Sequence, residues 1–291
     1  MIESADEFVR MRTKLKSMAN RKVSPGESAK KSSAKSGAYS STKKSAKKSA
    51  LKPLPANREP AAKPATAAPS GHGVAKLEIK PARVAEILKI LRETYPDVEC
   101  ALVHTSPWQL LVATILSAQC TDVRVNMVTP KLFAAYPTPE AMAKAPIESI
   151  EELIRTTGFY HNKAKSIQGA GRVISEEFGG KVPQTMAELL TVPGAARKTA
   201  NVVLGVAYGK AEGVVVDTHV FRLARRLGLT RSKTAQAVEQ DLMKVIPQNR
   251  WIQFSHELIH HGRQICEARK PKCAACPLET LCHAPDKTWN S

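Results

Sequence analysis

No stretch of this sequence offers the roughly 18 consecutive apolar residues that a membrane-spanning helix needs, which makes a membrane-spanning reading poor. The amino terminus, MIESADEFVRMR, carries acids where a secretory signal would place its apolar stretch. Acidic residues are also scarce: 26 Asp and Glu stand against 44 Lys and Arg, for a formal net charge of +18. That imbalance points to a polyanionic partner. Cysteine is sparse as well, with six in 291 residues. Four of them crowd between Cys266 and Cys282, which reads as metal ligands in a reducing compartment rather than a disulfide framework. Strand signals are nearly missing, since only Gly213–Val216 has strand character.

Residues 21–64 hold twelve Lys or Arg and two Glu, contributing +10 of the +18. Runs such as KKSSAKSG and KKSAKKSA contain almost no large apolar residue to offset the entropy of ordering the backbone. Residues 1–76 are therefore expected to form a disordered basic extension, either a solvated linker or a sequence-independent phosphate binder. Ahead of the lysine runs, Ile2, Phe8, Met11, Leu15 and Met18 have the spacing of one short amphipathic helix.

From Pro81 the texture turns helical, with Val84, Ile87, Leu88 and Leu91 at three- and four-residue steps and Pro81 suited to a first turn. Further helices are predicted over 108–120, 122–135, 147–156, 162–178, 186–190, 198–208, 218–226, 233–245 and 249–263. The expected fold is all-α, built from many short helices.

Leu189-Leu190-Thr191-Val192-Pro193-Gly194-Ala195-Ala196 joins two of these helices by a tight Pro-Gly turn. The second helix, opening at Arg197, would present unpaired N–H groups and a positive dipole end, to which a phosphate can bind without sequence preference. Lys198 falls in that first turn. A cation is disfavoured there by the dipole, by neighbouring Arg197 and by any burial, which makes an amine nucleophile available. Nineteen residues on, Asp217 follows three valines and precedes Thr218, the pattern of an N-cap whose carboxylate can also orient a substrate or stabilise a developing cation.

The cysteine spacing is Cys266-x6-Cys273-x2-Cys276-x5-Cys282. Four thiolates suit either zinc or a cubic iron–sulfur cluster, although zinc knuckles usually come as two short pairs and only Cys273/Cys276 makes one. Cys100 and Cys120 fall outside this spacing and read as small hydrophobes. His283 reads as a surface residue.

VPGAARKTANVVLGVAYG followed by VVVDTHVFRLARRLGL, with LLVATILSAQCTDVRVN, TTGFYHNKAKSI and the terminal cysteines, resembles the helix-hairpin-helix DNA glycosylase superfamily, specifically its endonuclease III branch. The resemblance runs from about residue 77 to residue 282. It implies two helical lobes, a bundle over 100–211 holding the hairpin and a lobe made of 77–99 with 212–291, and double-stranded DNA containing damaged bases or abasic sites lying in the cleft between them. It further implies that Lys198 attacks the sugar C1′ while Asp217 assists. The activity would be a bifunctional glycosylase and abasic-site lyase acting by Schiff-base chemistry and β-elimination on oxidised or ring-saturated pyrimidines. The same resemblance makes Cys266, Cys273, Cys276 and Cys282 ligands of a [4Fe-4S] cluster whose loop presents Arg269, Lys270 and Lys272 to phosphate. Gly194, Ala196 and Arg197 would meet DNA at the hairpin.

Base extrusion needs wedges. The resemblance points to Gln119 in L-S-A-Q and to Phe159 in T-G-F-Y, an aromatic in a glycine-containing loop where it would otherwise be wasted. Asp122 reads as a cap or as a residue that supports the site from behind. One departure stands out: the family hairpin is Leu-Pro-Gly-Val-Gly, and here Ala196 replaces the last glycine. If that position requires a positive φ or a close approach of phosphate, the Cβ costs on the order of 1 kcal/mol or forces a shift, which would weaken DNA binding. The rival readings are a catalytically silent iron–sulfur DNA-binding protein and a monofunctional glycosylase. Lys198 and the end of the chain nine residues after Cys282 argue against the adenine-removing relatives. A monomer is expected, in a bacterial cytoplasm, while the lysine runs would suit nuclear import in a eukaryote.

Overall fold

A computed structural model describes residues 79–289, all within one compact unit. The expected basic extension and the amphipathic helix near the amino terminus lie outside these residues. Among the described residues every regular element is helical, as the sequence predicts, and none is long and apolar enough to cross a membrane.

The first helix, α1 (Pro81–Thr94), starts with proline in its first turn and buries Val84, Ile87, Leu88 and Leu91. Helix α2 (Pro107–Leu116) is capped by Ser106, whose Oγ accepts the Gln109 N–H at 3.2 Å. Buried over most of its circumference, it sits at the centre of the first core. Then follow α3 (Asp122–Ala135), capped by Thr121, the short α4 (Pro139–Lys144), capped by Thr138, and α5 (Ile147–Ile154). Asp122 is thus the first helical residue and Thr121 is the cap. The long α6 (Tyr160–Glu177), α7 (Met186–Leu189) and α8 (Arg197–Tyr208) complete this part. After a break come α9 (Thr218–Arg226), α10 (Ala235–Val245) and α11 (Trp251–Gln264).

Two apolar cores organise the helices. The first gathers α2 to α8 around Leu110, Leu111, Leu116, Leu132, Ile150, Ile167 and Leu204. The second gathers α1 with α9, α10 and α11 around Ile87, Leu91, Val220, Leu223, Leu242, Phe254 and Leu258. Helix α1 is held to the far end of the chain by Arg83, whose guanidinium donates to the carbonyls of Leu227 and Leu281.

The structure departs from the sequence reading in three places. Helix α2 ends at Leu116 rather than near 120, because Ser117–Gln119 turns out of the helix. Helix α4 was not expected. The strand-like run 213–216 forms no ladder: Val214 and Val216 sink into the second core, and the Val215 N–H is taken by Ser255 Oγ at 3.1 Å. With no second strand nearby, alternating burial by itself makes an extended segment, not a sheet.

Candidate functional site

A cavity of about 670 Å³ is lined by residues from both cores, among them Gln119, Cys120, Asp122, Lys198, Asn201, Asp217, His219, His256 and Arg263. The structure therefore brings Lys198, Asp217 and Gln119 to one cavity. Phe159, the hairpin glycine and the basic residues of the cysteine loop are not among its lining residues.

The hairpin delivers Lys198. Gly194 has φ +83°, which glycine tolerates, and a Cβ there would lie 3.0 Å from Ser166 Cβ. Ala196 has φ −69° and ψ 167° and stands at the N-cap of α8 without a side-chain cap bond. The part of the expected penalty that depends on a positive φ is therefore absent, because the backbone is extended there. Without a side-chain cap, the first N–H groups of α8 are left for an outside acceptor. Lys198 is exposed at the cavity wall. Arg197 is turned to a different partner: its Nε donates to Glu239 Oε2 at 2.8 Å, and this bond, more than burial opposes it, holds the guanidinium above its ordinary range.

Asp217 caps α9 as the sequence predicts. Its Oδ1 accepts the backbone N–H groups of His219 and Val220, both at 2.8 Å, and Oδ2 lies 2.9 Å from His219 Nδ1. Burial pushes the carboxyl up, but the bonds from His219 and Val220 and the charges of His219 and Lys198 outweigh it and hold Asp217 below the usual carboxylate range. It is a carboxylate at neutral pH, within electrostatic reach of Lys198. Sequence reasoning passed over His219 although it sits in the quoted D-T-H run. Its signal is the two-residue offset, which lets an N-cap carboxylate reach both the backbone and the ring of the same residue.

Gln119 and Phe159 share a feature with Lys270: among the described residues these three are the non-glycine residues at positive φ, 52°, 49° and 52° respectively. Left-handed backbone away from glycine costs energy and persists where the surroundings impose it. Phe159 is 65% exposed, so it does not turn into the core. Lys163, left unassigned from sequence, is 5% exposed and donates from Nζ to the Thr157 carbonyl at 2.8 Å. It braces the Phe159 loop from inside and is no phosphate contact.

The four clustered cysteines line one small compartment together with Arg226, Pro271 and Lys287. Burial, with the like charges of Cys266, Cys282 and Cys273, pushes the Cys276 thiol up to about 11. As thiolates, four sulfurs in one compartment would require a cationic group between them. Among the described residues no group of three or more Cys, His, Asp or Glu side chains is placed to hold a metal ion. Four cysteine sulfurs are a donor set that suits zinc or an iron–sulfur cluster. Polar groups already surround the sulfurs: Arg226 Nη1 donates to Cys266 Sγ at 3.3 Å, the Thr288 N–H donates to Cys273 Sγ at 3.3 Å, and His261 Nε2 lies 3.4 Å from Cys276 Sγ. Arg269, Lys270 and Lys272 are exposed on this loop. Lys272 is partly engaged within it, donating to the Gln264 carbonyl at 3.0 Å and pairing with Glu267 at 3.2 Å. Cys100 and Cys120 are half-buried against the first core and also line the cavity. His283 is exposed.

Comparison with known proteins places these features in company. The profile of the HhH-GPD superfamily of base excision DNA repair proteins matches residues 112–248. Endonuclease III of Synechocystis sp. (strain ATCC 27184 / PCC 6803 / Kazusa) is 58% identical over 207 residues, which cover 71% of this chain and 94% of that protein. Endonuclease III of Escherichia coli (strain K12) is 43% identical over 206 residues, 71% of this chain and 97% of that protein. Among solved structures, a trapped endonuclease III–DNA covalent intermediate aligns with a TM-score of 0.68 and 42% identity, covering 71% of this chain and 97% of that one.

Proposed function

This chain belongs to the endonuclease III family of the HhH-GPD superfamily of base excision DNA repair proteins, and from that membership we infer a bifunctional DNA glycosylase and abasic-site lyase with Lys198 as its nucleophile. Its partner is DNA containing damaged bases. The observation that carries the residue assignment is the single cavity lined at once by Lys198, Asp217 and Gln119, contributed by both apolar cores.

In this reading the cores are two lobes with DNA across the cleft, residues 100–211 forming one and 77–99 with 212–291 the other. Gln119 and Phe159 fill the gap left by the rotated-out nucleotide, and the free N–H groups around Gly194 and Ala196 hold a phosphate. The Lys198 amine attacks C1′, the C1′–N bond breaks and the base departs. The nitrogen, having given up a proton, then uses its lone pair to expel the ring oxygen O4′, which takes up a proton as the C1′–O4′ bond opens to give the iminium. Asp217, ionised and fixed by His219, stabilises the cationic sugar. Loss of a C2′ proton expels the 3′ phosphate by β-elimination, and hydrolysis of the imine returns the amine. Oxidised or ring-saturated pyrimidines such as thymine glycol are the proposed substrates.

Cys266, Cys273, Cys276 and Cys282 would hold a [4Fe-4S] cluster, whose contribution is to fold the terminal loop. Arg269, Lys270 and Lys272 on that loop face phosphate. A bacterial cytoplasm is the proposed location, as befits the bacterial relatives. The test is borohydride reduction in the presence of a thymine-glycol duplex: wild type forms a covalent adduct, while Lys198→Ala binds the duplex and forms none. A monofunctional enzyme would release base with no adduct in either protein.

A further inference from the structure

Among the described residues, two ion pairs join the first core to the second: Arg263 Nη2 to Asp122 Oδ2 at 2.6 Å, and Arg197 Nε to Glu239 Oε2 at 2.8 Å. They are built differently. The side chains of the first pair are 40% and 19% exposed, whereas that of Glu239 is 6% exposed. Glu239 is also shared, since its Oε1 accepts from Asn201 Nδ2 at 2.8 Å. Arg197 and Asn201 lie four residues apart on α8, so one carboxylate from α10 grips a single face of α8 at two successive turns.

The grip has no slack. A Cβ on Gly213 would lie 2.1 Å from Glu239 Oε1 and 2.7 Å from Asn201 Nδ2, so a side chain there would displace the two groups that meet in this contact. The Asn201 amide is oriented for Glu239 at the expense of its own Oδ1, which is buried without a hydrogen bond. The fold carries that cost beside the cavity that Asn201, Gly213 and Lys198 line together.

Two points on one face fix the rotation of a helix about its axis. Lys198 is the residue next to the first of those points. We propose that Glu239 is a positioning residue for the reaction: from the second core it sets the rotation of α8, and so the place of the Lys198 amine, with Arg197 serving this clasp rather than a DNA phosphate. The proposal rests on Lys198 being the nucleophile. It deepens that assignment by making the two lobes jointly responsible for where the amine stands.

The test is a double-mutant cycle on the full-length protein. Single-turnover borohydride trapping on an abasic duplex is measured for wild type, Arg197→Ala, Glu239→Ala, the double variant and Glu239→Gln, with Lys198→Ala as control. Affinity and salt slope are read on a duplex with a tetrahydrofuran abasic analogue, and folding is followed by thermal melting. Arg197→Ala and Glu239→Ala are each expected to slow trapping about 10- to 100-fold, the double variant no more than the slower single, with affinity held within about twofold. Glu239→Gln keeps the shape but only one acceptor oxygen, so it stays folded and is slowed to an intermediate degree. The proposal is overturned if Arg197→Ala weakens binding and lowers the salt slope by about one unit while the Glu239 variants trap at the wild-type rate. It is equally overturned if Glu239→Gln, melting as wild type, also traps as wild type. Adduct formation by Lys198→Ala would instead remove the nucleophile assignment itself.

Discussion

Asp217 and His219 are joined twice, through the His219 backbone N–H to Oδ1 at 2.8 Å and through ring Nδ1 to Oδ2 at 2.9 Å. One carboxylate is thus both the cap of α9 and a fixed negative charge at the cavity wall. Substitution separates these duties. Asn can still accept from the Val220 N–H, so Asp217→Asn is expected to melt within about 0.5 kcal/mol of wild type, whereas Asp217→Ala loses about 1 kcal/mol. Both lose most base excision, and thermal melting beside single-turnover excision checks the split.

The lowered pKa of Asp217 fixes the sign of its pH dependence. Its stabilisation is fully present above the ordinary carboxyl value near 3.9 and is lost as pH falls through the lower value of the folded state. Acid unfolding of Asp217→Asn is therefore expected to be less steep than that of wild type below about pH 4. Any acid limb of excision above about pH 5 belongs to a different group. A pH–rate profile that tracks Asp217 protonation near neutrality would contradict this.

At the hairpin, Gly194 and Ala196 should respond in opposite ways. Gly194→Ala forces a Cβ at φ +83° to within 3.0 Å of Ser166 and is expected to cost about 1–3 kcal/mol in melting, with weaker binding to abasic duplex. Ala196→Gly, at φ −69°, is expected to leave affinity unchanged. A rise in affinity on Ala196→Gly would restore the penalty that the hairpin sequence led one to expect.

Phe159 is 65% exposed, so Phe159→Ala should leave melting within about 0.5 kcal/mol of wild type while lowering excision from duplex. Its effect should shrink on a mismatched lesion, which is already partly unstacked. Lys163→Met removes the brace to Thr157 and is expected to reproduce part of the Phe159→Ala loss.

For the cysteine loop, Cys276→Ser is expected to lose bound iron and the visible absorption of the purified protein, whereas Cys100→Ser keeps both. Stoichiometric zinc in place of iron would sink the cluster assignment.

Much of this was legible in the sequence because it depends on local chemistry. Periodicity located α1 through Val84, Ile87, Leu88 and Leu91, and the V-D-T-H run announced a cap that the structure contains. What stayed hidden depends on contacts distant in sequence. Nothing near Glu239 says that it meets Arg197, 42 positions away. Nothing in the sequence marks the partner of Lys163 as a carbonyl six residues back. The backbone angle at Ala196 was open for a related reason: sequence states which residue is present and not its φ, which is −69° here.

The most direct measurement is the site of the covalent adduct. Borohydride-reduced wild type with thymine-glycol duplex, digested and sequenced by mass spectrometry, should carry the sugar remnant on the peptide containing Lys198, and Lys198→Gln should yield none at any position. An adduct on another lysine, or full strand cleavage by Lys198→Gln, would contradict the account.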